Sequence, residues 1–231
     1  MFSKNISDLI RMDIPDDVLN EVHVILKLIS AEFNTTSATV AFSKTLALFN
    51  GTFPGYRACN TEYHDLGHTL NTFLAIARLI HGAVVQGQNF TERQVVLGLI
   101  AALFHDAGYI QETGDEDGTG AKYTAIHEKR SMQFVERQGT DLDLSEKEIP
   151  AVQAIILCTD LSEDASSIHF ASQGIGILGK FLGTADLLTQ MADRIYLEKL
   201  LLLYHEFREA NIGNPTAMEG FLPIPGGGYP S

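Results

Sequence analysis

The chain has 231 residues, 45% of them hydrophobic, which is enough for one substantial core and falls where one domain is the expectation. Its 29 acidic residues outnumber 16 basic ones for a formal net charge of −13, and no Lys/Arg-rich run interrupts the excess. That balance argues against a nucleic-acid polymer as partner, because phosphate contacts need a basic footprint; a small phosphate ester stays open if a metal supplies local positive charge.

The amino-terminal Met1-Phe2-Ser3-Lys4-Asn5 lacks a basic segment followed by a long apolar core, and no uncharged stretch reaches membrane-spanning length. A soluble, cytoplasmic protein with no membrane partner is expected. Cys59 and Cys158 stand alone, without metal-knuckle or redox spacing, and read as reduced structural thiols.

In chain order, Val18, Leu19, Val22, Ile25, Leu26 and Ile29 recur at helical spacing, so Asp16 to Phe33 is predicted helical, with Asp16 and Asp17 favouring the start of its dipole. A second helix is predicted from Ser37 to Phe49, broken by Asn50-Gly51 and Pro54-Gly55. A third runs from Glu62 to His81, with Leu66, Leu70, Phe73, Leu74, Ala77 and Ile80 on one stripe and Gly82 as its stop. Thr91-Glu92-Arg93-Gln94 reads as a capping box opening the apolar run that ends at His105. Gly108 to Gly120 is a polar, flexible loop. Helical pattern resumes over Tyr123–Arg137 and from Pro150 to Cys158, weakens between Ser162 and Gly179, and is strong from Phe181 to Glu209. Residues after Ile212 form a Gly/Pro-rich tail. No segment alternates with period two, so the fold class is all-α.

Chemistry concentrates in two clusters, Tyr63-His64-Asp65-Leu66-Gly67-His68 and Leu103-Phe104-His105-Asp106. On a helix His64 and His68 share one face, so one could ligate a metal while the other faces a substrate. His105-Asp106 ends a run of ten apolar residues, Val95 to Phe104, and burying that pair without a partner would be costly. Asp160, Asp186 and Asp193 are late acids set among apolar residues, and helical geometry alone does not choose between Asp186 and Asp193.

The order of these residues, a His, an adjacent His-Asp pair and a distant Asp, resembles the HD superfamily of metal-dependent phosphohydrolases. The likeness is nearest to the branch of cyclic nucleotide phosphodiesterases, whose Tyr-His-Asn-x-x-His motif corresponds to Tyr63-His64-Asp65-Leu66-Gly67-His68. It implies a multi-helix HD-type bundle with N-terminal helices over 1–60, a metal-dependent core over 61–211 and a tail over 212–231. It also implies His68, His105, Asp106 and Asp186 as ligands of the tighter metal, the last from its Ala-Asp-Leu context, with Asp106 bridging to a second. His/Asp ligation suits Zn, Fe, Mn or Ni at the tight site, and a watery oxygen-rich site suits Mg or Mn. A hydroxide bridged by the metals would attack the phosphorus of a small phosphoester or nucleotide, and His64 would be the general acid. A nearby carboxylate would hold its charged form, with Asp65 and Glu128 as candidates. His127 would contact the second metal, its waters or the substrate phosphate. His169 is a further conceivable ligand, although a loop histidine is the plainer reading.

The sequence departs from the phosphodiesterase pattern at Asp65 (for Asn), at Tyr109 (for His) and in Glu206–Asn211, which lacks the purine-contacting Gln. These changes bear on nucleobase recognition rather than on the metal chemistry. Other classes remain: a di-iron oxygenase with more histidines at its second site, or a non-catalytic ligand-binding domain stabilised by its metal. A homodimer is compatible with a helical domain of this size.

Overall fold

The computed structural model describes residues 11–164, 166–192 and 195–212. Among these are eight α-helices: α1 (Pro15–Ile29), α2 (Thr36–Phe49), α3 (Leu66–Val85), α4 (Glu92–Phe104), α5 (His127–Gln138), α6 (Ile149–Ile156), α7 (Gln173–Ala192) and α8 (Tyr196–Glu209). Short 3-10 turns cover Ala107–Tyr109 and Gly120–Ile126, and the described residues contain no strand, only an isolated bridge between Tyr56 and Glu112. The fold is an all-α multi-helix bundle.

The centre of the bundle is α4. Val95 to Phe104 are all buried, which is what a helix apolar on every side requires. The helices α2, α3, α6 and α7 pack around it, and α1 lies on α3. At about 1.5–3 kcal/mol for each fully buried large apolar side chain, this helix alone anchors the core. Its start is fixed by Thr91, whose side chain accepts from Gln94 N while the Gln94 side chain accepts from Thr91 N. Because α4 ends at Phe104, the next two residues, His105 and Asp106, emerge inside the protein.

Several boundaries differ from the periodicity: the first helix ends at Ile29 rather than Phe33, and the helix predicted from Tyr123 begins at His127 after a 3-10 turn. The helix bearing His68 starts at Leu66 rather than Glu62, because Asp65 is its N-cap and accepts from His68 N at 2.8 Å. A short acid at that position satisfies a free helix N–H better than it would serve inside the first turn. That helix passes through Gly82 to Val85. The apolar stretch Phe181–Glu209 is divided between α7 and α8, and α7 begins earlier, at Gln173, within the Gly- and Ser-rich segment. There the glycines permit close packing: a Cβ on Gly179 or Gly183 would lie 2.5 Å from Cys158 Sγ or Cys158 O. The tail beyond Ile212, and Asp193 with it, lies outside the described residues.

The acidic loop after Gln111 is tied down. Arg57 Nη1 donates to Asp115 O at 2.6 Å, Gln111 Nε2 to Asp117 O at 3.0 Å, and Thr119 Oγ1 to Glu209 Oε2 at 2.7 Å. The last contact docks α8, which packs mainly on the turn Gly120–Ile126. No helix among the described residues is long and apolar enough to cross a membrane.

Candidate metal centre

Three elements converge on one buried point. His68 comes from the first turn of α3, His105 and Asp106 from the end of α4, and Asp186 from α7. His105 Nε2 lies 3.2 Å from Asp106 Oδ2, and His68 Nε2 lies 3.5 Å from the same oxygen. Asp186 Oδ1 is 2.9 Å from His68 Nε2 and 3.7 Å from His105 Nε2. His68, His105 and Asp106 are buried, and Asp186 is half-buried.

Despite these distances, His68 Nε2, His105 Nε2 and Asp106 Oδ2 have no hydrogen-bond partner among the described residues. Buried polar atoms are nearly always paired, so three orphans from three neighbouring side chains need an explanation. A cation held between them would supply it. Ligand atoms about 2.0–2.2 Å from a tetrahedral metal stand roughly 3.3–3.6 Å apart, and right-angle neighbours about 2.9 Å apart; the separations here run from 2.9 to 3.7 Å. The buried His68-His105-Asp106 group can therefore hold a metal ion, and its nitrogen and carboxylate donors are of the right kind.

The ring nitrogens are set for that role. His105 Nδ1 is 2.8 Å from Ala102 O and His127 Nδ1 is 2.8 Å from Thr124 O. A carbonyl only accepts, so Nδ1 carries a proton in both rings and Nε2 is the nitrogen turned to the site. Burial opposes charge on His105, but Asp106 and Asp186 outweigh it and push the ring up to about 9. Burial likewise opposes the charge on Asp106, yet His105, His64, His68 and His127 together hold its carboxyl below the usual range. In the protein alone, imidazolium thus supplies the positive charge that the carboxylates require.

His64 stands just before the helix rather than on it, since Asp65 is the cap. The side chains still meet, with the His64 and His68 rings 5.7 Å apart. Its carboxylate partner is neither Asp65, which caps α3, nor Glu128. Glu206 from α8 places Oε2 2.5 Å from His64 Nδ1, while Glu206 Oε1 accepts from Tyr63 N at 2.7 Å. Burial lowers the affinity of the ring for its proton, and the charges of Asp106, Glu206 and Asp186 overcome this to raise it.

No family model, curated protein or solved structure matches this chain. The site is therefore read from its own residues.

His127, the first residue of α5, brings Nε2 to 3.7 Å from Asp106 Oδ1, and burial lowers its pKa below the usual imidazole value. Glu128 follows it, 8% exposed, its carboxyl pushed up to about 7 by burial. His169 is exposed in a groove with Met132, Pro150 and Glu163, and Asp160 closes its own turn by accepting from Ser162 N and Oγ. Asp193 lies outside the described residues.

Two residues that the sequence marked only as departures from the phosphodiesterase pattern take part in the site. Glu206 left one signal: an acid on the apolar side of α8, one turn after Leu202 and Leu203. Tyr109, 1% exposed, stacks on His64 at 4.2 Å and on His127 at 4.4 Å. Nothing in its local sequence marks it for that contact.

Proposed function

We propose that this protein is a metal-dependent phosphohydrolase of the HD type that cleaves a small nucleotide-like phosphoester, in the manner of a phosphodiesterase, with His64 as general acid. The observation that carries the reading is the convergence of three unpartnered buried ligand atoms beside an imidazole whose far nitrogen is held by a carboxylate. His68, His105, Asp106 and Asp186 would hold the tighter ion, Zn, Fe, Mn or Ni. Asp106 and His127, whose Nε2 lies 3.7 Å from Asp106 Oδ1, would hold a second ion, Mg or Mn. Bound there, divalent ions supply Lewis acidity toward the phosphoryl oxygens and lower the pKa of a coordinated water toward about 7.

The chain's own residues do the rest. Glu206 accepts the Nδ1 proton of His64, which fixes the tautomer and leaves Nε2 to carry a proton to the departing alkoxide. Tyr63 and Tyr109 wall the two histidines from bulk water. His127 keeps a neutral ring whose Nε2 accepts from, or ligates at, the second position. The oxygen-activating di-iron alternative asks for further histidines, and of His127 and His169 only the first reaches the cluster.

The test is hydrolysis by metal-reconstituted protein of a phosphodiester, a phosphomonoester and a nucleoside triphosphate. Turnover of one class, lost with His105→Ala and Asp106→Ala, is expected. A preparation that holds no metal, or whose activity survives both substitutions, ends the proposal. Binding of phosphoesters without turnover under every metal makes the protein a ligand-binding domain.

A further inference from the structure

We infer that Tyr109 is the positioning residue for the His64 imidazole, its ring lying against both His64 and His127. The inference rests on the reading of His64 as proton donor. Tyr109 closes the 3-10 turn that follows Asp106, and its ring lies 15° from parallel with His64 and 24° from parallel with His127.

His64 needs such a support because it lies outside any helix, one residue before the α3 cap. The Glu206 contact holds a single atom, Nδ1, at 2.5 Å. A ring tethered at one atom can still tilt about that hydrogen bond and swing its Nε2 away from a leaving group. A flat surface against the imidazole plane removes that motion. The Tyr109 backbone is pinned, its N–H donating to Asp106 O at 3.1 Å and Gly120 packing so closely that a Cβ there would lie 2.0 Å from Tyr109 O, and its ring, 1% exposed, is enclosed by the protein. One enclosed ring thus references His64 and His127 to the backbone that carries Asp106. Simple filling of core volume would need bulk, not two near-parallel stacks.

The test compares Tyr109→Phe and Tyr109→Leu in the full, zinc-loaded chain, on two phosphodiesters that differ only in leaving group, p-nitrophenol and a simple alcohol. The alcohol must be protonated as it departs, whereas p-nitrophenolate leaves unaided. Tyr109→Phe keeps the ring and is expected to keep the parent's ratio of the two kcat values. Tyr109→Leu is expected to keep its metal content and KM, to lose roughly ten- to hundred-fold in kcat on the alkyl ester, and to stay within about threefold on the nitrophenyl ester. In NMR spectra, the His64 and His127 ring protons should lose their upfield ring-current displacement in Tyr109→Leu and keep it in Tyr109→Phe. Equal losses on both esters, or unchanged ring-proton shifts in Tyr109→Leu, overturn the inference. If the parent turns over neither ester the phosphohydrolase reading fails, and the ring-proton shifts alone decide whether Tyr109 orders the two imidazoles. Should Tyr109→Leu not fold, Tyr109→Met gives the same contrast.

Discussion

His64 and Glu206 are separated by most of the chain, yet Glu206 Oε2 sits 2.5 Å from His64 Nδ1, and the same carboxylate accepts from Tyr63 N. The last described helix therefore completes a site whose other parts come from α3, α4, α5 and α7. The pair also sets a pH dependence. Burial disfavours the charged ring, but Asp106, Glu206 and Asp186 raise its pKa above the usual value. With a cation neutralising Asp106 and Asp186, Glu206 is the charge left to hold the proton on His64, so the alkaline limit of a rate that needs the acid depends on Glu206. Glu206→Gln removes one of the raising charges, so the alkaline limb of kcat should move to lower pH, with kcat at neutral pH down about tenfold or more. A pH–rate profile of parent and variant, with metal content measured in both, checks this. An unmoved alkaline limb would show that Glu206 only holds α8 in place.

Metal binding should stabilise the fold and release protons. An ion present at about 1,000 times its dissociation constant adds about 4 kcal/mol, so thermal midpoints should rise with metal concentration and drop with chelator. His105→Ala should abolish the response, since it deletes a ligand atom that is already unpartnered. The His105 ring, raised to about 9, must lose its proton to bind a cation. Apparent affinity should therefore climb with pH up to about 9, which calorimetry in buffers of different ionisation enthalpy would read as proton release.

Much of this was legible in the residues. Apolar spacing located α1 to α4, and Thr91-x-x-Gln94 marked a cap that forms as the pattern suggests. The ligand candidates His68, His105, Asp106 and Asp186 were legible as residue types in order, and the structure brings them within a few ångströms. What stayed illegible is tertiary in origin. Asp65 looked like a carboxylate for His64, but a cap competes for the same side chain and wins because α3 begins there. Glu206 acts across α8, and no local pattern encodes which distant ring an acid on an apolar stripe will meet. The Ser162–Gly179 segment read as weakly patterned, while packing against Cys158 and Phe170 makes small residues the suitable ones at Gly176 and Gly179.

Acid should weaken the junction between α4 and α6. Arg93 donates to both oxygens of Glu148, at 2.6 and 2.8 Å, and Ser145 N and Oγ add two further bonds. The Arg93 contacts foremost hold the Glu148 carboxyl down to about 2. A carboxyl depressed on folding contributes fully above its unfolded pKa, near ~4.5, and loses that contribution as pH falls toward 2. Glu148→Gln should cost about 1 kcal/mol at pH 7, allowing for solvent screening of a half-exposed pair, and almost nothing at pH 2. Urea midpoints of parent and variant across that range should converge on the acid side.

Two glycines should respond to alanine with opposite signs. In Gly108 a Cβ would stand 1.9 Å from His127 O and 2.7 Å from His127 C, against backbone that cannot rotate away. That backbone is locked from both sides: Gly108 N donates to Ser131 Oγ at 2.8 Å, Ser131 Oγ to His105 O at 2.5 Å, and Arg130 Nε to Gly108 O at 2.7 Å. Accommodation must push the start of α5 away from the turn after Asp106, displacing His127 from its place on Tyr109. Gly108→Ala should therefore cost about 3 kcal/mol and weaken metal binding. Gly82 lies inside α3 with nothing within 4 Å of an added Cβ. There the methyl group meets open space, and the helix gains by restricting the unfolded chain, so Gly82→Ala should stabilise by about 0.5–1 kcal/mol and leave metal binding unchanged. Denaturant titrations of both variants, with and without metal, separate the two effects; a tolerated Gly108→Ala would mean that α5 can shift without disturbing the site.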